Sequence, residues 1–155
     1  MAVTGLLSYG TKFEYAVYSS GTAGTKVEVK NLQSVPSLGG DVDKVETTCL
    51  ENSNKTYING LKDYGDMEFK FLYAVDENVA STNYAQFAAS STGINGKLCE
   101  FTITTPDGST FVFDGTAQAS LDAVEVNQPL TFTVSIALAS DIEATIGSTP
   151  IVTPL

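Results

Sequence analysis

The sequence predicts a mainly β protein, built as an antiparallel β-sandwich or barrel with one flanking α-helix. Two observations carry this prediction. Apolar and polar residues alternate with a period of two along much of the chain, which is the pattern of strands that bury one face. A single stretch, about residues 79–91, shows the apolar spacing of a helix instead. About seven or eight strands around one short helix are typical of this class.

The first half of the chain contains three stretches that alternate between apolar and charged residues. They cover residues 12–17, 26–30 and 67–73, and their apolar positions are aromatic or β-branched in most cases. Such residues suit a pleated, half-buried surface. Each stretch is therefore predicted to be a strand with one face on the core and the other in solvent.

The predicted helix over residues 79–91 has an apolar stripe and terminal signals. Two acids precede it, at the end where the helix dipole favours negative charge. Asn78 or Ser81 is the candidate N-cap, and Gly93 is predicted to end the helix. The residues of the stripe are Val79, Ala80, Tyr84, Phe87 and Ala88.

The second half carries the clearest strand signals. Residues 101–105 and 110–113 alternate on either side of Pro106-Asp107-Gly108, whose proline and glycine supply the backbone angles of a tight turn. These two stretches are predicted to form a β-hairpin. From Leu130 to Ala139 the alternation is strict, with large apolar residues on one face, and this predicts a half-buried strand.

Composition excludes several classes of function. The 155 residues include 18 acids and 8 bases, all of the bases lysine, for a net charge of −10, and histidine and arginine are absent. Without histidine there is no Ser-His-Asp or Cys-His nucleophile, and without arginine no bidentate phosphate clamp. Duplex DNA is expected to be repelled. Residues 76–155 hold nine acids and only Lys97, which fits either a solubilising face or a surface that faces a polyanion without binding it.

Motifs for catalysis, cofactors and metals are not found. The sequence lacks GxGxxG, a phosphate loop, GxSxG and Cys-x-x-Cys. Asp41-Val42-Asp43 lacks the glycine and the terminal glutamate of a calcium loop. Asp63, Asp66 and Glu68 are near one another in sequence, but spacing alone does not bring carboxylates into a cleft. We therefore expect no enzymatic activity, no cofactor and no metal.

Cys49 and Cys99 could be two buried free thiols or form one disulfide bridge, and buried free thiols are the prediction. The first thirteen residues lack the basic and apolar regions of a secretory signal, so the protein is expected to be intracellular at synthesis. No apolar run approaches the roughly 18 residues of a membrane span. We expect no membrane association.

The whole chain, residues 1–155, is expected to form one domain, which is usual at this length. Three segments fit a compact sandwich poorly: an N-terminal arm at about 1–11, a long loop at about 33–62 and a C-terminal arm at about 141–155. The C-terminal arm is rich in apolar residues without clear periodicity, which is unlike a disordered tail. A neighbouring subunit is the expected docking partner.

The stretch Tyr57–Phe69, YINGLKDYGDMEF, resembles the tail tube (major tail) proteins of long, non-contractile-tailed bacteriophages, especially those that infect Gram-positive bacteria. Further similar motifs follow the order of that family, so the resemblance spans about residues 5–142. A departure is Asn59, where many members have proline. The further motifs are residues 38–41, 44–48, 96–99, 106–108 and 130–142.

This resemblance implies a structural virion protein that self-assembles into hexameric rings, which stack into a tube between capsid and tail tip. The genome passes through the tube without specific binding, and other phage tail proteins are the remaining partners. The protein is made in the bacterial host cytoplasm and ends in the virion tail. A long loop and terminal arms bridge neighbouring rings in this family. The residues expected in the inter-ring loop are Leu38, Asp41, Tyr57, Leu61 and Tyr64.

The acidic charge acquires a role if the resemblance holds, because carboxylates in the lumen would repel DNA phosphates. Glu14, Glu46 and Glu68 are the expected lumen residues, since each alternates with core-facing positions. The main alternative is a β-sandwich carbohydrate- or receptor-binding module of a virion, with an exposed aromatic platform. An enzyme using carboxylates alone is a third possibility, and requires an acid pair such as Asp63 and Asp66 to converge.

Overall fold

The computed structural model describes residues 9–38, 41–63, 67–76 and 81–146. This part of the chain contains one helix and a series of antiparallel strands. In chain order the elements are β1 Lys12–Ser19, β2 Thr22–Ala23, β3 Val27–Val29, β4 Leu32–Ser34, β5 Asp41–Glu46, β6 Tyr57–Asp63, β7 Met67–Leu72, β8 Val75–Asp76, β9 Ser81–Thr82, α1 Ala85–Ala88, β10 Leu98–Thr104, β11 Thr110–Leu121, β12 Thr131–Leu138 and β13 Glu143–Thr145.

Nine of the strands form one sheet. Its order is β2-β1-β10-β11-β12-β7-β4, with β3 also paired to β1 and β13 also paired to β11. The remaining strands form two small sheets, β5–β6 and β8–β9. The prediction of a mainly β, antiparallel fold with a short helix is therefore confirmed. More strands occur than the pattern predicted, because pieces of two or three residues are too short to show a period of two.

The main sheet curls so that its two ends face each other across the core. The ring of Phe13 on β1 lies 5.0 Å from the ring of Phe69 and 5.3 Å from that of Phe71, both on β7, as measured between centroids. Three strands separate β1 from β7 in the sheet, so this contact requires strong curvature. Both walls of the core thus belong to one sheet. Seven phenylalanines are buried in this core: Phe13, Phe69, Phe71, Phe87, Phe101, Phe113 and Phe132.

The segment from β3 to β4 connects the two ends of the curled sheet. Strand β3 pairs with β1 and strand β4 pairs with β7, with Lys30 and Asn31 between them. Asn31 has a φ of 66°, and its carbonyl accepts a hydrogen bond from the Leu72 N–H at 2.9 Å. Within the described residues β3 and β4 share no ladder, so the sheet does not close into a barrel.

The predicted long strands and the hairpin turn are confirmed. Strands β1, β7, β10, β11 and β12 occupy the alternating stretches, and β10 and β11 are joined by the expected turn. In that turn the Asp107 carboxylate accepts hydrogen bonds from the Thr105 hydroxyl, the Ser109 N–H and the Ser109 hydroxyl. These bonds, that of Thr105 above all, lower the pKa of Asp107.

The helix is shorter than predicted. It covers Ala85–Ala88, whereas the prediction was about 79–91, and Ser81 lies in strand β9 instead of capping the helix. Residues 77–80, including the candidate cap Asn78, lie outside the described part. The Thr82 hydroxyl accepts a hydrogen bond from the Ala85 N–H at 3.2 Å.

Asn83 is the physical reason for the late start of the helix. Its side chain is fully buried and bonds to main-chain groups of other elements, which holds the preceding residues in an extended conformation. Its amide nitrogen donates to the carbonyls of Lys30 at 3.0 Å and Leu72 at 2.7 Å, and its oxygen accepts from the Ala74 N–H at 3.0 Å.

The prediction that Gly93 ends the helix is wrong, since the helix ends at Ala88 and its C-cap is Ala89. The Gly93 N–H donates to the Ala89 carbonyl at 2.8 Å. A Cβ at this position would lie 2.4 Å from the carbonyl oxygens of Phe87 and Ala89, so only glycine fits.

The two cysteines have different environments. Cys99 is buried in β10, as predicted, and burial raises its pKa. The prediction for Cys49 is wrong: its free thiol is exposed in the turn between β5 and β6, because this hairpin leaves the core. Among the described residues, no helix has the length and apolar character needed to cross a membrane.

Candidate assembly surfaces

Strands β5 and β6 form a hairpin, residues 41–63, that stands apart from the main sheet. Among the described residues the two strands pair only with each other, and none of their described side chains belongs to the hydrophobic core. The hairpin occupies most of the segment predicted as a long loop at about 33–62. Its irregular register explains why alternation did not reveal it: Val42 pairs with Lys62, but Lys44 already pairs with Asn59.

One face of this hairpin is apolar and open to solvent. Val45 and Ile58 are directly opposite each other in the ladder and are 51% and 56% exposed. Gly60 adjoins them, since a Cβ there would lie 3.4 Å from Val45 Cγ2 and 3.0 Å from the Asp43 carbonyl oxygen. The opposite face carries Lys44, Glu46 and Tyr57. A ribbon of two strands without a core is marginally stable in water, so the apolar face is a candidate contact surface.

The residues expected in the inter-ring loop occupy different positions. Tyr57 and Leu61 lie on β6 and are 51% and 85% exposed. Asp41 begins β5, opposite Asp63 in the register. Leu38 packs against the core, and Tyr64 lies outside the described residues.

The three expected lumen residues are not brought together. Glu14 lies on β1 and Glu68 on β7, and each alternates with phenylalanines that meet across the core. Their side chains therefore point away from the core on opposite sides. Glu46 lies on the hairpin, opposite Tyr57.

The outward face around Glu14 is rich in carboxylates. Glu14 is directly opposite Glu28 on β3 and Thr102 on β10. In the next part of this face the Tyr18 hydroxyl donates to Asp114 Oδ1 at 2.7 Å and lies 3.4 Å from Glu100 Oε2. The hydrogen bond to Asp114 is the main reason that the pKa of Tyr18 rises to about 12. Lys30 brings a positive charge close to this face, since its Nζ lies 3.0 Å from Glu28 Oε2.

A second exposed apolar region lies in the β11–β12 loop, residues 122–130. Val124 and Val126 are 69% and 88% exposed, and Leu121 at the end of β11 is 47% exposed. At the base of the loop, Asp122 accepts hydrogen bonds from the hydroxyls of Thr131 at 2.7 Å and Thr133 at 2.8 Å. Sequence reasoning missed this loop as well as Val45 and Ile58; the run of valines between charged residues was the available signal.

The two terminal arms are described in part. Tyr9 in the N-terminal arm is 69% exposed, and residues 1–8 lie outside the description. In the C-terminal arm, β13 pairs with β11 and Ile142 packs against the core. Residues 147–155 lie outside the description.

The described residues offer little to a metal or to catalysis by paired acids. Within them, no group of three or more Cys, Asp or Glu side chains is arranged to hold a metal ion. Asp63 ends β6 and Glu68 lies on β7, while Asp66 is outside the described residues.

Comparison with known proteins identifies one matching family. The family model of the phage tail tube protein matches residues 13–146. No curated protein matches the chain by sequence.

Solved structures with a similar fold come from phage-like injection machines. A chain of the 6-fold symmetrised cryo-EM structure of the anti-feeding prophage baseplate has a TM-score of 0.59 and 8% identity, covering 95% of this chain and 99% of that one. A chain of the sheath/tube terminator of an extracellular contractile injection system, PVC, has a TM-score of 0.58 and 10% identity, covering 94% and 99%. A chain of the anti-feeding prophage cap gives 0.56 and 11%, covering 95% of each.

Proposed function

The chain belongs to the phage tail tube protein family, and on this premise we propose that it self-assembles into hexameric rings that stack into the tail tube of a phage. The tube is the conduit through which genomic DNA is delivered into the host. The protein acts by shape and charge, without catalysis or a cofactor, and works in the virion tail together with other tail proteins.

The observation that carries this proposal is the solvent-exposed apolar face of the hairpin. Val45 and Ile58 are each about half exposed on a two-stranded ribbon, none of whose described side chains belongs to the hydrophobic core. In a protein that acts alone, such a ribbon would be both unstable and prone to aggregate. In a stacked tube the ribbon becomes an interface. The fold similarity to a chain from a 6-fold symmetrised baseplate supports rings of six.

The acidic surface suits a tube that conducts DNA without binding it. We propose that carboxylates on one outward face of the main sheet line the lumen, where they repel the phosphates of the passing genome. Of the three expected lumen residues, Glu14 lies on the proposed face, while Glu46 lies on the hairpin and Glu68 on β7. Since Glu14 and Glu68 point to opposite sides of the core, the face around Glu14, with Glu28, Glu100 and Asp114 nearby, supplies the denser charge.

The alternative of a carbohydrate- or receptor-binding module gains no support from the aromatic residues. All eight phenylalanines are buried or half-buried, and Tyr9 and Tyr57 are the exposed aromatic residues in the described part of the chain. A sugar platform needs several exposed rings on one surface.

Negative-stain electron microscopy of the purified full chain tests the assembly. We expect rings, or tubes of uniform bore, at high concentration or on addition of tail-tip components. An Ile58→Asp variant should fold as well as the wild type but form few tubes, whereas Ser135→Asp, on an exposed position of β12, serves as the control for added charge. Particles that stay monomeric with tail-tip components present would refute the proposal.

Charge reversal tests whether these carboxylates face the lumen and repel the passing DNA. Phages carrying Glu14→Lys or Glu68→Lys are compared for tube length and for DNA ejection. We expect intact tubes in both, and slowed ejection for the residue that faces the lumen. Normal ejection in both variants would contradict the proposed role of these carboxylates.

A further inference from the structure

We propose that Asn59 in the β5–β6 hairpin of the unassembled chain is a site of spontaneous deamidation, and that the fold protects Asn95 from the same reaction. The sequence contains two Asn-Gly pairs, Asn59-Gly60 and Asn95-Gly96, and isoleucine precedes both. Glycine has no Cβ, so its main-chain nitrogen can approach the asparagine side chain closely. Because the local sequences match, the fold determines which of the two pairs reacts. The modification does not depend on tube formation.

The reaction needs only the chain itself and water. The main-chain nitrogen of the glycine loses its proton and attacks the side-chain carbon Cγ of the asparagine, so that a new C–N bond forms. The bond from Cγ to the side-chain nitrogen breaks, and this nitrogen takes up a proton and leaves as ammonia. Water then opens the cyclic imide at either of its carbonyl groups, which yields aspartate or isoaspartate. No oxidant or reductant is involved.

The first Asn-Gly pair lies where the ladder of the hairpin is irregular. Asn59 is opposite Lys44, but Val42 is opposite Lys62, so two residues of β6 lie opposite one residue of β5. Such a bulge disrupts the ladder locally. Asn59 and the glycine after it are exposed, and Ile58 before them is 56% exposed.

Local opening of the hairpin frees this pair without unfolding the core. A two-stranded ribbon is marginally stable in water, and none of the described side chains of β5 and β6 belongs to the hydrophobic core. Opening of the hairpin therefore costs much less free energy than global unfolding. In the opened ribbon the Asn59 side chain and the Gly60 nitrogen can adopt the geometry of attack.

The second Asn-Gly pair is held at both of its reacting groups. The Asn95 side-chain oxygen accepts a hydrogen bond from the Ala119 N–H at 3.0 Å. The Gly96 N–H, which would supply the attacking nitrogen, donates to the Ala117 carbonyl at 2.9 Å. Ile94 is 2% exposed and belongs to the hydrophobic core. Since both acceptor and donor partners lie on β11, in the middle of the main sheet, release of this pair requires the core to open.

Deamidation changes the charge and the main chain of the hairpin. It adds a carboxylate at position 59, directly opposite Lys44, and an exposed cross-strand pair of opposite charges adds little to stability. Isoaspartate also adds a methylene group to the main chain of β6, which shifts the pairing of the residues beyond it. Both changes fall on the hairpin and leave the core strands unaltered.

Peptide mapping by mass spectrometry tests the proposal. The dilute, unassembled full chain is incubated at mildly alkaline pH in heavy-oxygen water, which labels only the sites that deamidate during incubation, and is then digested with trypsin in ordinary water. Cleavage after Lys55 and Lys62 releases residues 56–62, in which Asn59 carries the only side-chain amide. We expect Asn59 to be converted at least about tenfold faster than Asn95.

The denatured chain is the control for local sequence. In concentrated guanidinium chloride both pairs keep the same Ile-Asn-Gly sequence but lose the fold, so their rates should be similar. A rate ratio in the native protein that equals the ratio in the denatured chain, or faster conversion of Asn95, would overturn the proposal.

A disulfide across the hairpin tests the role of opening. In a Cys49→Ser background, Glu46→Cys and Tyr57→Cys place two thiols directly opposite each other in the β5–β6 register. The oxidised form should deamidate at Asn59 at least about threefold more slowly than the reduced form of the same chain, because the crosslink opposes opening. Equal rates in the two forms would contradict a reaction that proceeds through the opened hairpin.

Discussion

The ring of Phe13 packs edge-on against the ring of Phe69, with centroids 5.0 Å apart and planes at 63°. The two residues belong to strands that are separated by three others in the sheet, so their contact exists only when the sheet is fully curled. Phe13 also contacts the rings of Phe71, Phe87 and Phe101. It is therefore the residue at which the two walls of the core and the helix meet.

Replacement of Phe13 by alanine should lower the free energy of unfolding by about 3–5 kcal/mol, because a fully buried ring and its aromatic contacts are lost. Chemical denaturation of the unassembled protein measures the effect. Tyr9→Ala is the matched control: this ring is 69% exposed, and its loss should change stability by no more than about 0.5 kcal/mol. A loss of less than about 1 kcal/mol for Phe13→Ala would contradict the central position of this ring.

Asn83 should contribute nearly as much as Phe13 to the free energy of unfolding, although it is polar. Asn83→Ala removes the partner of the Ala74 N–H and of two carbonyls, on Lys30 and Leu72, and so should cost about 2–4 kcal/mol. Amide exchange at Ala74 should accelerate at the same time. Asn52→Ala, in the exposed hairpin turn, is the control and should leave both quantities unchanged. Unaltered exchange at Ala74 would show that this hydrogen bond does not hold the segment.

The sequence predicts a segment correctly when the pattern of its own residues reflects its surroundings in the fold. Strand β12 has one buried and one open face, so its alternation is clear and its limits were predicted to within one residue. The long core strands follow the same rule. The family could also be predicted, because its motifs occur in order along the chain.

The errors occur where distant contacts override the local pattern. The stripe from Val79 to Ala88 resembles a helix, yet Asn83 bonds to Lys30, 53 residues away, and the helix forms only at Ala85–Ala88. The β5–β6 hairpin was predicted as a loop because its apolar face has no core to pack on and its register is irregular. A register shift between Val42 and Lys44 is not encoded in period-two alternation.

Asp122 links stability to acidic pH. Hydrogen bonds from the hydroxyl of Thr131 first, then that of Thr133, together with the charge of Lys70, lower the pKa of Asp122. A lowered pKa in the folded state stabilises the protein above the unfolded value of about 3.9, and this contribution is lost as the pH falls through the folded value. Asp122→Asn should therefore cost about 1–2 kcal/mol at neutral pH.

The same variant should differ less and less from the wild type as the pH is lowered below about 4. Unfolding curves collected across this range give the difference directly. Asp43→Asn, at an exposed hairpin position, is the control. A difference between Asp122→Asn and the wild type that stays constant down to the lowest pH would mean that the carboxylate charge is not what the two threonines stabilise.

Tyr18 should give the corresponding dependence of stability on pH in the alkaline range. Its hydroxyl donates to Asp114 Oδ1 at 2.7 Å, and that bond, with the nearby charge of Glu100, raises the pKa of Tyr18 to about 12. Because the folded value exceeds the unfolded value of about 10, the protonated phenol stabilises the fold below about pH 10, and this contribution is lost as the pH rises through 12.

Spectrophotometric titration of phenolate absorbance should therefore show a step near pH 12 that Tyr18→Phe removes. Asp114→Asn should move this step toward the ordinary tyrosine value, since it replaces the charged acceptor. Glu100→Gln should move it less, because Glu100 lies 3.4 Å from the hydroxyl whereas Asp114 lies at 2.7 Å. Equal shifts in the two variants would show that the acidic face acts on Tyr18 through its overall charge and that the single hydrogen bond between β1 and β11 is not decisive.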